Sequence, residues 1–195
     1  MISQKFIQKY MRLAKLLGED SNPCYSRKIG VLIVDPNINK IVGTGYNGPP
    51  RNVPHCDSAE HLANVVWPQL TEVEKGNLEY KSTNLAEFLG YYKDCKTCPR
   101  KLIGALSGKR LELCSCAHAE ANAIVNAAQD VNGCVMFAYC LLPCIECTKL
   151  IINAGIKTLY CCKEESDYSV GSRFLFKEAK IEVIELNQAD LLQKH

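Results

Sequence analysis

Three features of this 195-residue sequence predict an α/β layered fold with a partly parallel sheet. The C-terminal half alternates short apolar, β-branched runs with helical stretches of about ten to twelve residues. Near the N-terminus, two such runs are joined by a short turn, which reads as a hairpin. Hydrophobic residues make up 47% and charged residues 23%, so a chain of this length can bury a core without disulfide staples.

Taken in order, Phe6, Ile7, Tyr10, Met11, Leu13, Ala14 and Leu17 fall at helical spacing, which predicts a helix over 2–17 capped by Gly18. The runs 28–35 and 40–46 read as the two hairpin strands, joined by Pro36-Asn-Ile-Asn39 and ended by Asn47-Gly-Pro-Pro50. Residues of about 51–113 lack a strong apolar period and include a polar helical stretch over 70–89. They read as an insertion into a single domain spanning 1–195. Beyond it, helices are expected over 118–129, 144–154 and 171–179. Strands are expected over 134–140, 157–162 and 181–185.

Lys plus Arg number 23 and Asp plus Glu 21, a net charge of +2 that argues against holding nucleic acid by counterion release. No apolar run approaches a membrane span, and the mixed N-terminus lacks the unbroken apolar stretch of a signal peptide. No membrane partner and a cytoplasmic location are therefore expected. Twelve cysteines in a reducing compartment point to metal rather than to disulfides.

The chemistry is concentrated in His118-Ala-Glu120 and, roughly two dozen residues on, Pro143-Cys-Ile-Glu-Cys147. Each half sits where a helix is expected to start. Cys144 and Cys147, at i and i+3, share a helix face with one another. One imidazole and two thiolates suit Zn2+, and three protein ligands leave the fourth position for water, the catalytic arrangement. Helix N-termini favour the anionic thiolates. Glu120 is close enough to handle the water's proton without binding the metal. This His-x-Glu and Pro-Cys-x-x-Cys pairing is the pattern of zinc nucleobase deaminases.

Four blocks carry a closer resemblance: Cys24-Tyr-Ser-Arg27, Gly45-Tyr-Asn-Gly-Pro49, His118-Ala-Glu-Ala-Asn-Ala-Ile124 and Pro143 to Gly155. Over roughly residues 24–186 the chain resembles the deoxycytidylate (dCMP) deaminases, and the long insertion resembles their phage-type branch. The resemblance implies a three-layer, cytidine-deaminase-like fold: a mixed five-stranded sheet with helices on both faces, plus a zinc-binding insertion. It implies hydrolysis of dCMP to dUMP and ammonia, feeding thymidylate synthesis, in the host cytoplasm if the gene is a phage's. It assigns the catalytic zinc to His118, Cys144 and Cys147 and the proton shuttle to Glu120. The Ala119 N–H and a carbonyl near Leu141 or Leu142 would read the pyrimidine edge, and Asn47 would contact the sugar. Ser26, Arg27 and the neighbouring Lys28 are candidates for the phosphate.

The resemblance also implies a structural zinc held by Cys24, the His55-Cys56 segment, an insertion ligand and Cys116. Cys95-Lys-Thr-Cys98 and Cys114 are further candidates, enough for more than one such site. Gly45, Tyr46, Asn47 and Gly48 are the allosteric candidates, for activation by dCTP and inhibition by dTTP, with Mg2+ as an optional companion. A homo-oligomer, in this family a hexamer, is expected. Cys134, Cys140, Cys161 and Cys162 fall on expected strands and read as core residues. Two alternatives stay open: another zinc nucleobase deaminase, acting on cytidine or tRNA adenosine, and a non-catalytic zinc module.

Overall fold

The computed structural model describes residues 3–78, 84–95, 97–106, 108–163 and 169–187, except for the side chains at 94 and 95. Helix α1 (Gln4–Asp20) leads into strands β1 (Gly30–Asp35) and β2 (Lys40–Tyr46). Short helices follow: α2 (Ala59–His61), α3 (Trp67–Gln69), α4 (Glu72–Gly76), α5 (Leu85–Cys95) and α6 (Pro99–Leu102). The chain then alternates through α7 (Ala119–Val125), β3 (Val135–Ala138), α8 (Ile145–Asn153), β4 (Thr158–Cys162), α9 (Val170–Glu178) and β5 (Glu182–Leu186).

The chain divides into two compact units. The first comprises residues up to Asn22, Lys28–Asn47 and His118 onward. Its five-stranded sheet has the order β2-β1-β3-β4-β5. β1 is antiparallel to both β2 and β3, while β3, β4 and β5 are parallel. The mixed sheet expected from the resemblance is therefore present. Alternation sends Val31, Ile33, Met136, Ala138, Leu159 and Cys161 to one face, where Ala123, Ile151 and Phe176 of α7, α8 and α9 cover them. Leu32, Val34, Phe137, Tyr160 and Cys162 face the other way, onto Ile7, Tyr10, Met11 and Ala14 of α1. Phe137 and Tyr160 stack at 4.9 Å across that face.

The expected C-cap at Gly18 is not one. The helix runs on to Asp20, and Gly18 is instead a packing residue, because a Cβ there would stand 2.7 Å from the backbone nitrogen of Gly30. Gly30 faces it in turn, and a Cβ on Gly30 would stand 2.0 Å from the carbonyl oxygen of Ala14. The two glycines let α1 lie directly against the start of β1.

Because β2 and β3 both oppose β1, they run in the same direction. Asn47, which follows β2, and the Pro143-Cys144 turn beyond β3 thus come to the same end of the sheet. A second pair of glycines brings α7 there. A Cβ on Gly43 would meet the Ala123 carbonyl oxygen at 2.6 Å, and one on Gly45 the Ala119 carbonyl oxygen at 2.1 Å.

The second unit comprises Pro23–Arg27 and Gly48–Ala117. It buries an apolar cluster of Leu62, Val66, Leu70, Leu78, Phe88, Tyr92 and Leu113, with the Trp67 and Phe88 rings 5.2 Å apart. These residues come from short helices joined by turns, which is why no long period marks them in the sequence. A π-helical turn over Leu62–Val66 links α2 to α3. The polar stretch expected over 70–89 is two helices rather than one, α4 with its Thr71–Glu74 capping box and α5, and residues 79–83 lie outside the described residues. Among the described residues, no helix is long and apolar enough to cross a membrane.

The two kinds of glycine separate experimentally. Gly30→Ala should lower unfolding stability by about 1–3 kcal/mol through backbone overlap. Gly90, exposed in the middle of α5 with nothing near its Cβ position, should gain about 0.5–1 kcal/mol as alanine. Urea unfolding midpoints of the two variants should move in opposite directions.

Candidate active site

His118 is the N-cap of α7 and Cys144 the N-cap of α8, so both side chains stand at helix entrances, with Cys147 one turn inside α8. His118 Nδ1 lies 3.4 Å from Cys144 Sγ and 3.4 Å from Cys147 Sγ. The three donor atoms are all within 4.8 Å of one another. Zn–N and Zn–S bonds of ordinary length at a tetrahedral angle put such donors about 3.5 Å apart. These residues therefore fit Zn2+, by donor chemistry and by spacing. His118 and Cys144 are exposed and Cys147 is buried, which leaves one side of the cluster open to small molecules.

The sulfurs are electrostatically linked. The Cys147 thiol donates to Cys144 and, with the nearby imidazole, lowers the Cys144 pKa to about 3. Cys147 is pushed the other way, chiefly by that same hydrogen bond and then by burial. Two thiols in contact do not both ionise readily, so one is driven acidic and the other basic.

Glu120 lies in the first turn of α7, almost wholly buried at 4% exposure. Burial raises its pKa above the usual carboxylate range. Its Oε1 accepts a long hydrogen bond from the Cys140 thiol at 3.9 Å, the Cys147 thiol interacts with the same carboxyl, and Oε2 is buried with no close hydrogen-bond partner among the described residues. Cys140 was expected only as core; its contact with Glu120 had no signal in the sequence pattern.

Asn47 is buried, and its Oδ1 accepts the Ala119 N–H at 2.9 Å. The N–H assigned by resemblance to the pyrimidine edge is thus engaged by the residue assigned to the sugar. Asn122 Nδ2 donates to the Tyr46 carbonyl at 2.8 Å, a second tie between the end of β2 and α7. Gly45 and Gly48 are not among the described glycines with positive φ. For Gly45, the requirement is space for α7.

The second unit holds another donor cluster. His55 Nε2 lies 3.7 Å from Cys116 Sγ and 4.0 Å from Cys56 Sγ, and the three form a second metal-competent group. His55 Nδ1 is 2.5 Å from Asp57 Oδ1, the carboxylate–histidine pairing that commonly orients a metal-bound imidazole. Cys24 joins through Cys116, whose hydrogen bond, with the Arg27 and Ser26 backbone N–H groups, lowers the Cys24 pKa to about 5 against the opposing effect of burial. The Ser26 N–H reaches Cys24 Sγ at 3.4 Å. Cys114 contacts both Cys116 and Cys56, and its pKa is strongly lowered by hydrogen bonds from them.

Of the predicted residues, the structure brings Cys24, His55, Cys56 and Cys116 together, and Cys114 with them. Cys98 is buried as the residue preceding α6 and influences Cys56 only electrostatically. The side chain of Cys95 lies outside the described residues. Ser26 and Arg27 meet Cys24 through their backbone, and Lys28 donates to the Asn22 carbonyl at 2.5 Å. Among the described residues, eleven cysteines are free and none is paired in a disulfide.

The sequence matches the cytidine and deoxycytidylate deaminase zinc-binding region over residues 4–163. It is 30% identical to the deoxycytidylate deaminase of Schizosaccharomyces pombe over 149 residues, 76% of this chain and 34% of that protein. The chain therefore spans about a third of that relative's length. With the deoxycytidylate deaminase of Enterobacteria phage T2 it shares 28% identity, covering 89% of this chain and 88% of the phage protein. The crystal structure of the cyanophage S-TIM5 dCMP deaminase, in complex with dCMP and dUMP, superposes with a TM-score of 0.58. That match has 22% identity and covers 95% of this chain and all of the other, a likeness of fold. With most of its length matched to the family's zinc-binding region and the two motif halves gathered at one end of the sheet, the chain belongs to the cytidine and deoxycytidylate deaminase family.

Proposed function

We propose that the chain deaminates dCMP hydrolytically, giving dUMP and ammonia. The observation that carries this is Glu120: a buried carboxyl with one unpartnered oxygen, two residues beyond a histidine that shares a zinc-sized cluster with two cysteines. His118, Cys144 and Cys147 would hold the metal. Zinc, when bound there, supplies Lewis acidity that makes a water reactive enough for attack at C4 of cytosine.

The chain's own residues do the rest. Glu120, its pKa raised by burial, holds a proton more readily than an exposed carboxylate and is placed to act as general base and then general acid. It takes a proton from the attacking water, passes it to N3 of the ring and delivers another to the departing amine. One water is consumed and one ammonia leaves. Asn47 holds the start of α7 by accepting from Ala119, and its amide group meets the substrate's sugar.

The proposal extends to regulation by dCTP and dTTP and to a hexamer, on the family resemblance. The intact Gly45-Tyr46-Asn47-Gly48 segment supports it, since Asn47 and the Tyr46 carbonyl both bond to α7, so a shift in that segment is felt at Glu120. The second cluster would hold a structural zinc through His55, Cys56 and Cys116, with Cys24 or Cys114 as fourth ligand. A cytoplasmic location accords with so many cysteines outside disulfides among the described residues.

Three experiments test this reading. Glu120→Gln should reduce dCMP turnover by about 10²–10⁴-fold while zinc content stays unchanged; near-parental turnover would refute the assignment. Asn47→Asp keeps an acceptor for Ala119, so it should preserve thermal stability and zinc yet raise KM for dCMP. Asn47→Ala should lose both. Elemental analysis of the parent should find two zinc ions per chain and of Cys116→Ser only one; a single zinc in the parent would rule out the second site.

A further inference from the structure

The carbonyl of Pro143 is gripped by two hydroxyls. Thr148 Oγ1, within α8, donates to it at 3.3 Å, and Ser172 Oγ, from α9, donates to it at 2.9 Å. Both residues are closed to solvent, at 0% and 3% exposure. Pro143 immediately precedes Cys144, the N-cap of α8, and the first carbonyl needed by that helix belongs to Cys144 itself, which accepts the Thr148 N–H at 2.9 Å. Helix formation therefore does not require the Pro143 oxygen to be held. A buried hydroxyl needs an acceptor, and here two separate elements direct theirs at the same atom.

That atom controls the geometry of a ligand. It lies in the peptide plane that joins Pro143 to Cys144. Fixing the plane fixes the direction in which Cys144 leaves the turn, and with it the position of an otherwise exposed sulfur. Ser172 shares the inward face of α9 with Phe176, four residues on, which anchors that helix in the core. The clamp is thus tied to rigid packing at one end and to the ligand turn at the other.

We propose that Thr148 and Ser172 are positioning residues for the metal site, holding the Pro143–Cys144 peptide so that Cys144 Sγ keeps its 3.4 Å spacing from His118 Nδ1. This rests on the reading of His118, Cys144 and Cys147 as metal ligands. Neither hydroxyl touches those donor atoms or the reacting groups; they act through the Pro143 oxygen. Partners of this kind around a metal typically change affinity about 10–100-fold.

The test follows zinc release from the full-length, zinc-loaded protein into a coloured chelator. The phase lost in His118→Ala marks the site in question. Thr148→Val keeps the side chain's shape and drops the hydroxyl, whereas Thr148→Ser keeps the hydroxyl and drops the methyl. Thr148→Val and Ser172→Ala should each speed that phase about tenfold or more and leave the remaining zinc untouched, while Thr148→Ser should release near the parental rate. If Thr148→Val releases zinc at the parental rate, or Thr148→Ser releases it as fast as Thr148→Val, the clamp is overturned and the pair only fills space. If His118→Ala retains the full zinc complement, the metal-ligand reading fails first, an outcome distinct from the other two. Should Ser172→Ala fold poorly, the two Thr148 variants decide the matter alone.

Discussion

A contact between two backbones governs the candidate site. A Cβ on Gly45 would overlap the carbonyl oxygen of Ala119. The first turn of α7 can therefore rest directly on β2. That turn carries Glu120, and His118 stands at its entrance. Because β2 and β3 run the same way, the close approach delivers His118 to the end of the sheet where the Pro143-Cys144 turn emerges from β3. Wider spacing here, as any side chain on Gly45 would impose, would shift the imidazole relative to two sulfurs it must meet within a few tenths of an ångström. Asn47 reinforces the contact by satisfying the Ala119 N–H, one of the donors a helix start leaves without an intrahelical partner.

The two donor clusters solve one electrostatic problem twice, each within a single compact unit. Thiols brought into contact cannot all ionise, so one is driven acidic and its neighbour basic, as with Cys144 against Cys147 and Cys114 against Cys116. A divalent cation, if bound, would neutralise such clusters. They differ in what surrounds the donors. His55 is backed by Asp57 and ringed by extra sulfurs, so the means to close its coordination are at hand. Around His118, Cys144 and Cys147 the nearest further acid is Glu120, on the same helix as His118 and turned into the protein. These surroundings favour the proposal of a closed site at the His55 cluster and an open one at the His118 cluster.

Much of the catalytic unit was legible because its signals are long or chemically unusual. Alternating strands and helices fixed the layers, and His-x-Glu with Pro-Cys-x-x-Cys fixed the cluster. What escaped reading depends on partners distant in sequence. Gly18 looked like a helix terminator, since nothing local shows that Gly30 will lie against it. The core of the second unit escaped because helices of three to five residues, such as α3 and α4, are too short to display a period. Thr148 and Ser172 look like ordinary polar residues until α9 folds over the Pro143 turn. The link from Cys140 to Glu120 likewise exists only once β3 and α7 share a sheet face.

The placement of Glu120 favours the proposed reaction over a purely structural metal centre. Enclosing a carboxyl raises its pKa, a cost in stability that a well-packed leucine would avoid. The fold bears that cost at the residue nearest a cluster already able to hold zinc without it. A structural metal centre gains nothing from such a neighbour, because its ligands are complete and its outer groups only orient them. A hydrolytic centre needs a group whose proton affinity has been raised, held close to the metal-competent cluster. The burial and the raised pKa are the same requirement seen twice, and both follow from placing Glu120 in the first turn of a helix that glycine lets sink onto the sheet.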